Sequence, residues 1–181
     1  MTSPHFHDSI EVAVCVKGNC CVCINGTDNV ITEGEGVFID RFDVHYYKYF
    51  PDSEYYVLLV SDKYLDDDNG IKKKRLPVFL ERCRRYAEIN RLFDALYQMY
   101  DADNDVLKKG IVNVILGIMT SEYPLEERKD KGEVRVLINA LLCINENFRE
   151  NITIDSISKE IGYSKNYFSF LIMSIMYSNS Q

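Results

Sequence analysis

The sequence predicts an α+β protein, with an N-terminal β-barrel or sandwich, two amphipathic helices and a helical C-terminal subdomain. Three observations carry this. Short alternating runs separated by closely spaced turns fill residues 1–66. Apolar residues then recur at helical spacing through residues 67–125, and residues 126–181 end in a short helix, a glycine turn and a second capped helix.

The β-region starts with Glu11 to Val16, turns at Lys17-Gly-Asn19 and returns over Cys20 to Ile24. Asn25-Gly26 is a two-residue hairpin signal, because both residues tolerate positive φ. Val30 to Thr32, Gly36 to Asp40, His45 to Phe50 and Tyr55 to Val60 are the further strands. Their turns hold Gly34, Arg41-Phe-Asp43 and Pro51-Asp-Ser53.

Asp66-Asp-Asp-Asn-Gly70 closes this region, and the basic run Lys72-Lys-Lys-Arg75 reads as a solvated linker rather than a nucleic-acid contact. Pro77 suits a first helical turn. From Val78 to Tyr100, Leu80, Tyr86, Ile89, Leu92, Phe93, Leu96 and Met99 keep helical periodicity. Asp103-Asn-Asp105 caps a second helix from Val106 to about Met119. Tyr123-Pro124 and the charged stretch Glu126 to Glu133 form a linker. Val134 to Asn147 is a further helix, with Leu137, Leu141, Ile144 and Phe148 on one face.

In the last segment Thr153 is an N-cap, Ile154, Ile157 and Ile161 share a helical face, and Gly162 stops the helix. Ser164 caps the next helix, whose apolar face is Phe168, Leu171 and Ile172. This is the helix-turn-helix pattern, whose second helix enters the major groove. Lys165, Asn166, Ser169 and Phe170 fall on its outer side, with Ser164 at its start. The plain alternative is an ordinary helical hairpin.

The chain of 181 residues carries a net charge of −7, so no global positive field draws it to nucleic acid. A hydrophobic content of 46% excludes a disordered chain. No basic segment leads into an apolar run at the N-terminus, and the longest apolar run, Ile111 to Met119, contains Asn113 and is too short for a bilayer. The expectation is a cytoplasmic protein with no membrane partner. Cys20-Cys-Val-Cys23 lies in strand-like sequence, where adjacent side chains face opposite ways, so these thiols read as small buried hydrophobes.

His5, His7 and Glu11 share strand parity, and a further histidine, His45, follows one hairpin later. Three imidazoles and a carboxylate are a ligand set for a borderline divalent metal. The alternatives are the lining of a polar effector pocket, which is the preferred reading, and histidines with no site role.

Two resemblances attach to these motifs. Ile152-Thr-Ile-Asp-Ser-Ile-Ser-Lys-Glu-Ile-Gly-Tyr-Ser-Lys-Asn-Tyr-Phe-Ser-Phe-Leu171 resembles the first helix-turn-helix of the AraC/XylS family of bacterial transcription regulators. His5-x-His7-x-x-x-Glu11, with Gly18 after six intervening residues and His45 later, resembles the cupin motif. Arg41 and Tyr49 depart from it, standing where the second cupin motif has proline and asparagine, and only four residues precede His5. The resemblances imply a cupin-like sensor over 1–66, dimerisation helices over 67–125, and a partial DNA-binding domain over 126–181. They imply a small-molecule effector, a homodimer and DNA as partners.

The family's second helix-turn-helix and the phenylalanine-lysine pair after Leu171 are missing, so the expectation is a truncated regulator with impaired DNA binding. The full histidine–carboxylate set would leave little but replaceable waters open on a metal, so the reading is not an enzyme; no phosphate-cradling loop or nucleophile elbow is found in the sequence. The alternatives are a stand-alone metal cupin acting on a sugar or small acid, and a dimerising fragment that interferes with a full-length partner.

Overall fold

The computed structural model describes residues 2–48, 50–66, 70–128 and 132–178. Tyr49, the middle of the Asp66–Gly70 run and part of the Glu126–Glu133 stretch lie outside them. The chain divides into two compact units, Met1–Arg128 and Lys129–Gln181.

The first unit holds six main strands: β1 (Ile10–Lys17), β2 (Asn19–Ile24), β3 (Thr27–Thr32), β4 (Gly36–Ile39), β5 (His45–Lys48) and β6 (Glu54–Val60). β7 (Lys74–Arg75), β8 (Phe79–Leu80), α1 (Tyr86–Gln98), α2 (Asp105–Glu122) and β9 (Glu126–Glu127) follow. One sheet runs β6-β1-β4-β8 and a second runs β3-β2-β5, each antiparallel throughout. The result is an open sandwich and not a closed barrel, with β6 and β8 at the edges of the first sheet.

β1 separates two cores. Ile10, Val12 and Val14 pack with Ile89, Phe93, Val112, Ile115 and Leu116 of the helices. Ala13 and Cys15, on the opposite face by strand alternation, pack with Cys20, Val22, Ile24, Ile31 and Ile39. The hydroxyl of Tyr86 donates to the Cys15 carbonyl at 3.1 Å, which ties the start of α1 to β1. Cys15 and Cys20 are buried hydrophobes as the sequence suggests, and burial pushes the Cys20 thiol up to about 11.

The hairpin between β2 and β3 turns at Asn25 and Gly26, both at positive φ. Its register extends β3 back to Thr27, because each residue of β2 finds a partner there whatever its polarity. The helix expected from Val78 begins only at Tyr86. The Val78 carbonyl accepts from Phe38 N–H, and Phe79 and Leu80 pair with β4, so an open sheet edge outcompetes the helical pattern. The basic run is not a solvated linker throughout. Lys74 and Arg75 pair with Glu127 and Glu126, and the Lys74 ammonium meets the Glu127 carboxylate at 2.7 Å. Asn104 caps α2 by accepting from Leu107 N–H at 3.0 Å.

The second unit packs α3 (Gly132–Asn147), α4 (Ile154–Glu160) and α5 (Lys165–Ser178). Its core is Val136, Ala140, Cys143, Ile157, Phe168 and Leu171. The inward face of α3 is therefore rotated by about one residue from the expected one, and Leu141 and Phe148 are exposed. Thr153 and Ser156 form a reciprocal capping box on α4. Gly162, at φ 78°, closes α4 with paired bonds from Gly162 N–H to Lys159 O and from Tyr163 N–H to Ser158 O. No helix among the described residues is long and apolar enough to cross a membrane.

Among the described glycines Gly36 lies hardest against backbone, where an added Cβ would lie 2.6 Å from the Ala13 carbonyl oxygen. Gly36→Ala must separate β4 from β1, and it should cost about 1–3 kcal/mol. A lowered urea midpoint at unchanged slope is the expected result; an unchanged midpoint would show that the strands yield freely.

Candidate functional site

The N-terminal arm supplies half of the site. Thr2 N–H donates to Tyr47 O at 3.0 Å, and His5 and His45 exchange backbone hydrogen bonds of 3.0 and 2.9 Å. The arm thus extends the second sheet beyond β5 and fixes His5, even though few residues precede it. A bend at Asp8 and Ser9 then carries the chain into β1, where Glu11 faces the sandwich interior. Strand parity alone does not align His5 with Glu11 across that bend. The fold brings them together by placing the arm beside β5 and Glu11 on β1.

His5, His7 and His45 each offer a ring nitrogen within 4.8 Å of the others. His7 Nε2 lies 3.1 Å from Glu11 Oε2, and His45 Nε2 lies 3.5 Å from the same oxygen. The Tyr47 hydroxyl donates to the other oxygen, Glu11 Oε1. Tyr47 was not singled out in the sequence, although it lies two residues after His45 on a strand and so shares its face.

The imidazoles share one pattern. His5 Nδ1 lies 2.9 Å from Ser3 O, His7 Nδ1 2.9 Å from Ser9 O, and His45 Nδ1 2.8 Å from Asp43 O. A carbonyl only accepts, so each Nδ1 holds the proton and each Nε2 is left for another partner. This is how ligating histidines are oriented in metal sites. Beside an ionised Glu11, an Nε2 must carry either a proton or a metal. Among the described residues the buried His45 Nε2 makes no well-formed hydrogen bond and meets Glu11 Oε2 only at 3.5 Å. The donor set therefore fits a divalent transition ion, held by His5, His7 and His45 with Glu11 as fourth ligand or neighbouring charge.

Burial alone would raise the Glu11 pKa, but His45, His7 and the Tyr47 hydroxyl together outweigh it and lower the carboxyl to about 2. Burial alone would likewise lower the His45 pKa. Glu11 and the Asp43 carbonyl win, and raise it. The fully buried imidazole is thus built to sit beside a negative charge. Arg41, the departure from the cupin pattern, pairs with Asp62 and belongs to a charged cluster around the turn before His45.

A second concavity lies between β6 and the helices. It has a volume of about 410 Å³ and is lined by aromatic and aliphatic side chains that include Tyr56, Phe93 and Tyr97.

In the second unit, Tyr167 N–H donates to Ser164 Oγ at 3.3 Å, so Ser164 caps α5. Lys165, Asn166 and Phe170 are exposed and Ser169 is half-buried. Beside them Tyr163 and Tyr167 stack at 5.4 Å, an aromatic pair that the sequence reading passed over.

A family model described as the AraC-like ligand binding domain matches residues 1–111, more than half of the chain. Among solved structures, the AraC-like transcriptional activator CuxR aligns with a TM-score of 0.50 at 16% identity, over 88% of this chain and 59% of its own. The apo form of a single-substitution (lysine to alanine) variant of ToxT from Vibrio cholerae strain SCE256 aligns with a TM-score of 0.62 at 12% identity, over 95% of this chain and 69% of its own. ToxT of that strain with a bound unsaturated fatty acid aligns at 0.51 and 12% identity, over 95% of this chain and 67% of its own. At these identities the likeness concerns the fold. No curated protein matches the chain.

Proposed function

The chain belongs to the family of AraC-like ligand-binding domains, and from that premise we propose that it is a ligand-responsive transcriptional regulator whose sensing centre is the His5, His7, His45 and Glu11 cluster. The single observation that supports this centre is the shared orientation of the imidazoles, each pinned at Nδ1 by a backbone carbonyl and turned toward the others. A divalent ion would supply Lewis acidity and open coordination positions for an effector. His45 and Glu11 provide the buried side of the site, while His5 and His7 leave it accessible from solvent. The structural neighbours are regulators and not enzymes, which weighs against the stand-alone metal cupin.

Titration of tag-free protein with Co²⁺ should produce a visible d–d spectrum and raise Tm. At a hundredfold excess over Kd the stabilisation should be about 2.7 kcal/mol. His45→Ala and the milder His7→Ala should both lose it. Undiminished Co²⁺ binding in both variants would assign the ion to another place.

The helices α1 and α2 support a homodimer. Val106 is 85% exposed, and Tyr97, Tyr100 and Val114 also leave apolar surface uncovered. Sedimentation at micromolar concentration should give a dimer that Val106→Asp with Val114→Asp dissociates. A wild-type monomer at that concentration would remove this part of the proposal.

DNA contact is assigned to α5 through Lys165, Asn166, Ser169 and Phe170, with Ser164 at its start. From Asn151 onward the lysines Lys159 and Lys165 are balanced by Asp155 and Glu160, so few phosphate contacts are available. Each good base contact adds only about 1–3 kcal/mol. This 181-residue chain should therefore bind duplex DNA weakly at physiological salt, with a log–log salt slope no steeper than about −2. Tight, selective capture of sequences from a random duplex pool would contradict it.

A further inference from the structure

The last residues of the first unit are held by a charged latch that shares a turn with the sensing cluster. Arg128 Nη2 donates to Ile71 O at 2.8 Å and lies 3.1 Å from Asp40 Oδ1, and its Nε donates to Lys74 O at 3.3 Å. β9, just before it, pairs with β7 through Glu126 and Glu127. Asp40 opens the turn that leads to His45. Its N–H donates to Asp43 Oδ2 at 3.1 Å, and Asp43 Oδ1 accepts from Asn25 Nδ2 at 2.7 Å. The carbonyl of the same Asp43 accepts from His45 Nδ1 at 2.8 Å. Four residues thus connect the buried imidazole of the site to the end of the unit: His45, Asp43, Asp40 and Arg128.

We infer that occupancy of the histidine cluster is communicated to residues 126–128 through the 40–43 turn, tightening the Arg128 latch. The inference rests on the reading of that cluster as a metal site. A cation at the Nε2 of His45 makes its Nδ1–H a stronger donor to Asp43 O. That bond orders the turn, which keeps Asp40 in place for Arg128. Burial lowers the Arg128 pKa, and Arg41 and Arg75 nearby lower it further, with Asp40 opposing. Asp40 is the carboxylate that offsets this cost, beside the carbonyls of Ile71 and Lys74. Arg75 Nη1, 3.7 Å from Asp43 Oδ2, joins β7 to the same turn, so both strands of the β7–β9 pair respond together.

The test is amide hydrogen exchange on the full chain with and without Co²⁺, read by mass spectrometry, with the visible spectrum reporting uptake. Uptake should slow exchange over residues 74–75 and 126–128 by about 5–150-fold, the range of typical coupling between sites. The β2–β3 hairpin should be unaffected. Asp40→Asn and Arg128→Lys, neither a member of the metal set, should take up Co²⁺ with the same spectrum and lose the response. Lysine keeps the charge of Arg128 and lacks its fork of donors. Uptake with unchanged exchange in the wild type would overturn this inference alone, and so would a full response in both variants. No Co²⁺ uptake would end both this inference and the metal reading on which it rests.

Discussion

Strand β1 is buried on both faces, and the arrangement of the first unit follows from that constraint. A strand flanked by β4 and β6 and covered above and below has no solvent side, so both of its side-chain sets need partners. Ile10, Val12 and Val14 meet them in α1 and α2, which makes these helices part of the domain whatever else they do. Ala13 and Cys15 meet them in the second sheet. Glu11, on that same inner face and 2% exposed, cannot be satisfied by hydrocarbon, and an unpaired buried carboxylate would cost several kcal/mol. The His7, His45 and Tyr47 side chains are its answer.

The site is therefore a consequence of burial as well as a candidate for function. Glu11 must attract donors, and the donors that reach it are held by backbone carbonyls of Ser9 and Asp43 and by the pairing of the arm with β5. Each imidazole is fixed at Nδ1 by a backbone carbonyl, which leaves its Nε2 turned toward the cluster. Such pre-orientation reduces what binding must spend on ordering side chains. Because the Asp43 carbonyl holds His45 while the Asp43 carboxylate holds the 40–43 turn, the site and the end of the unit share one short piece of backbone.

The second unit follows a different economy. Its core is small, and the ends of α4 are secured by local devices, a capping box at Thr153 and a paired glycine closure at Gly162. Such devices use neighbouring residues only, which is why this part of the chain was legible residue by residue. The outward face of α5 combines one lysine with Asn166 and exposed aromatics, so little electrostatic attraction supports whatever its side chains recognise.

While only the fold brought the candidates His5, His7, Glu11 and His45 together across the Asp8–Ser9 bend, the sequence by itself determined the strands with alternating pattern, the Asn25-Gly26 turn, and the caps at Asn104, Thr153 and Ser164. These depend on backbone preferences and on spacing along one chain. Tertiary structure decided what depends on a distant neighbour. Phe79 and Leu80 became a strand because β4 offered an unpaired edge, and the inward face of α3 was chosen by Ile157, Phe168 and Leu171. Lys74 and Arg75 became a strand because Glu126 and Glu127 pair with them from about fifty residues away along the chain. Tyr47 shares the face of His45 by strand alternation, and it reaches Glu11 because β5 faces β1 across the sandwich. Short-range geometry is written in neighbouring residues, whereas the partner that satisfies a buried edge or charge is selected only when the chain closes on itself.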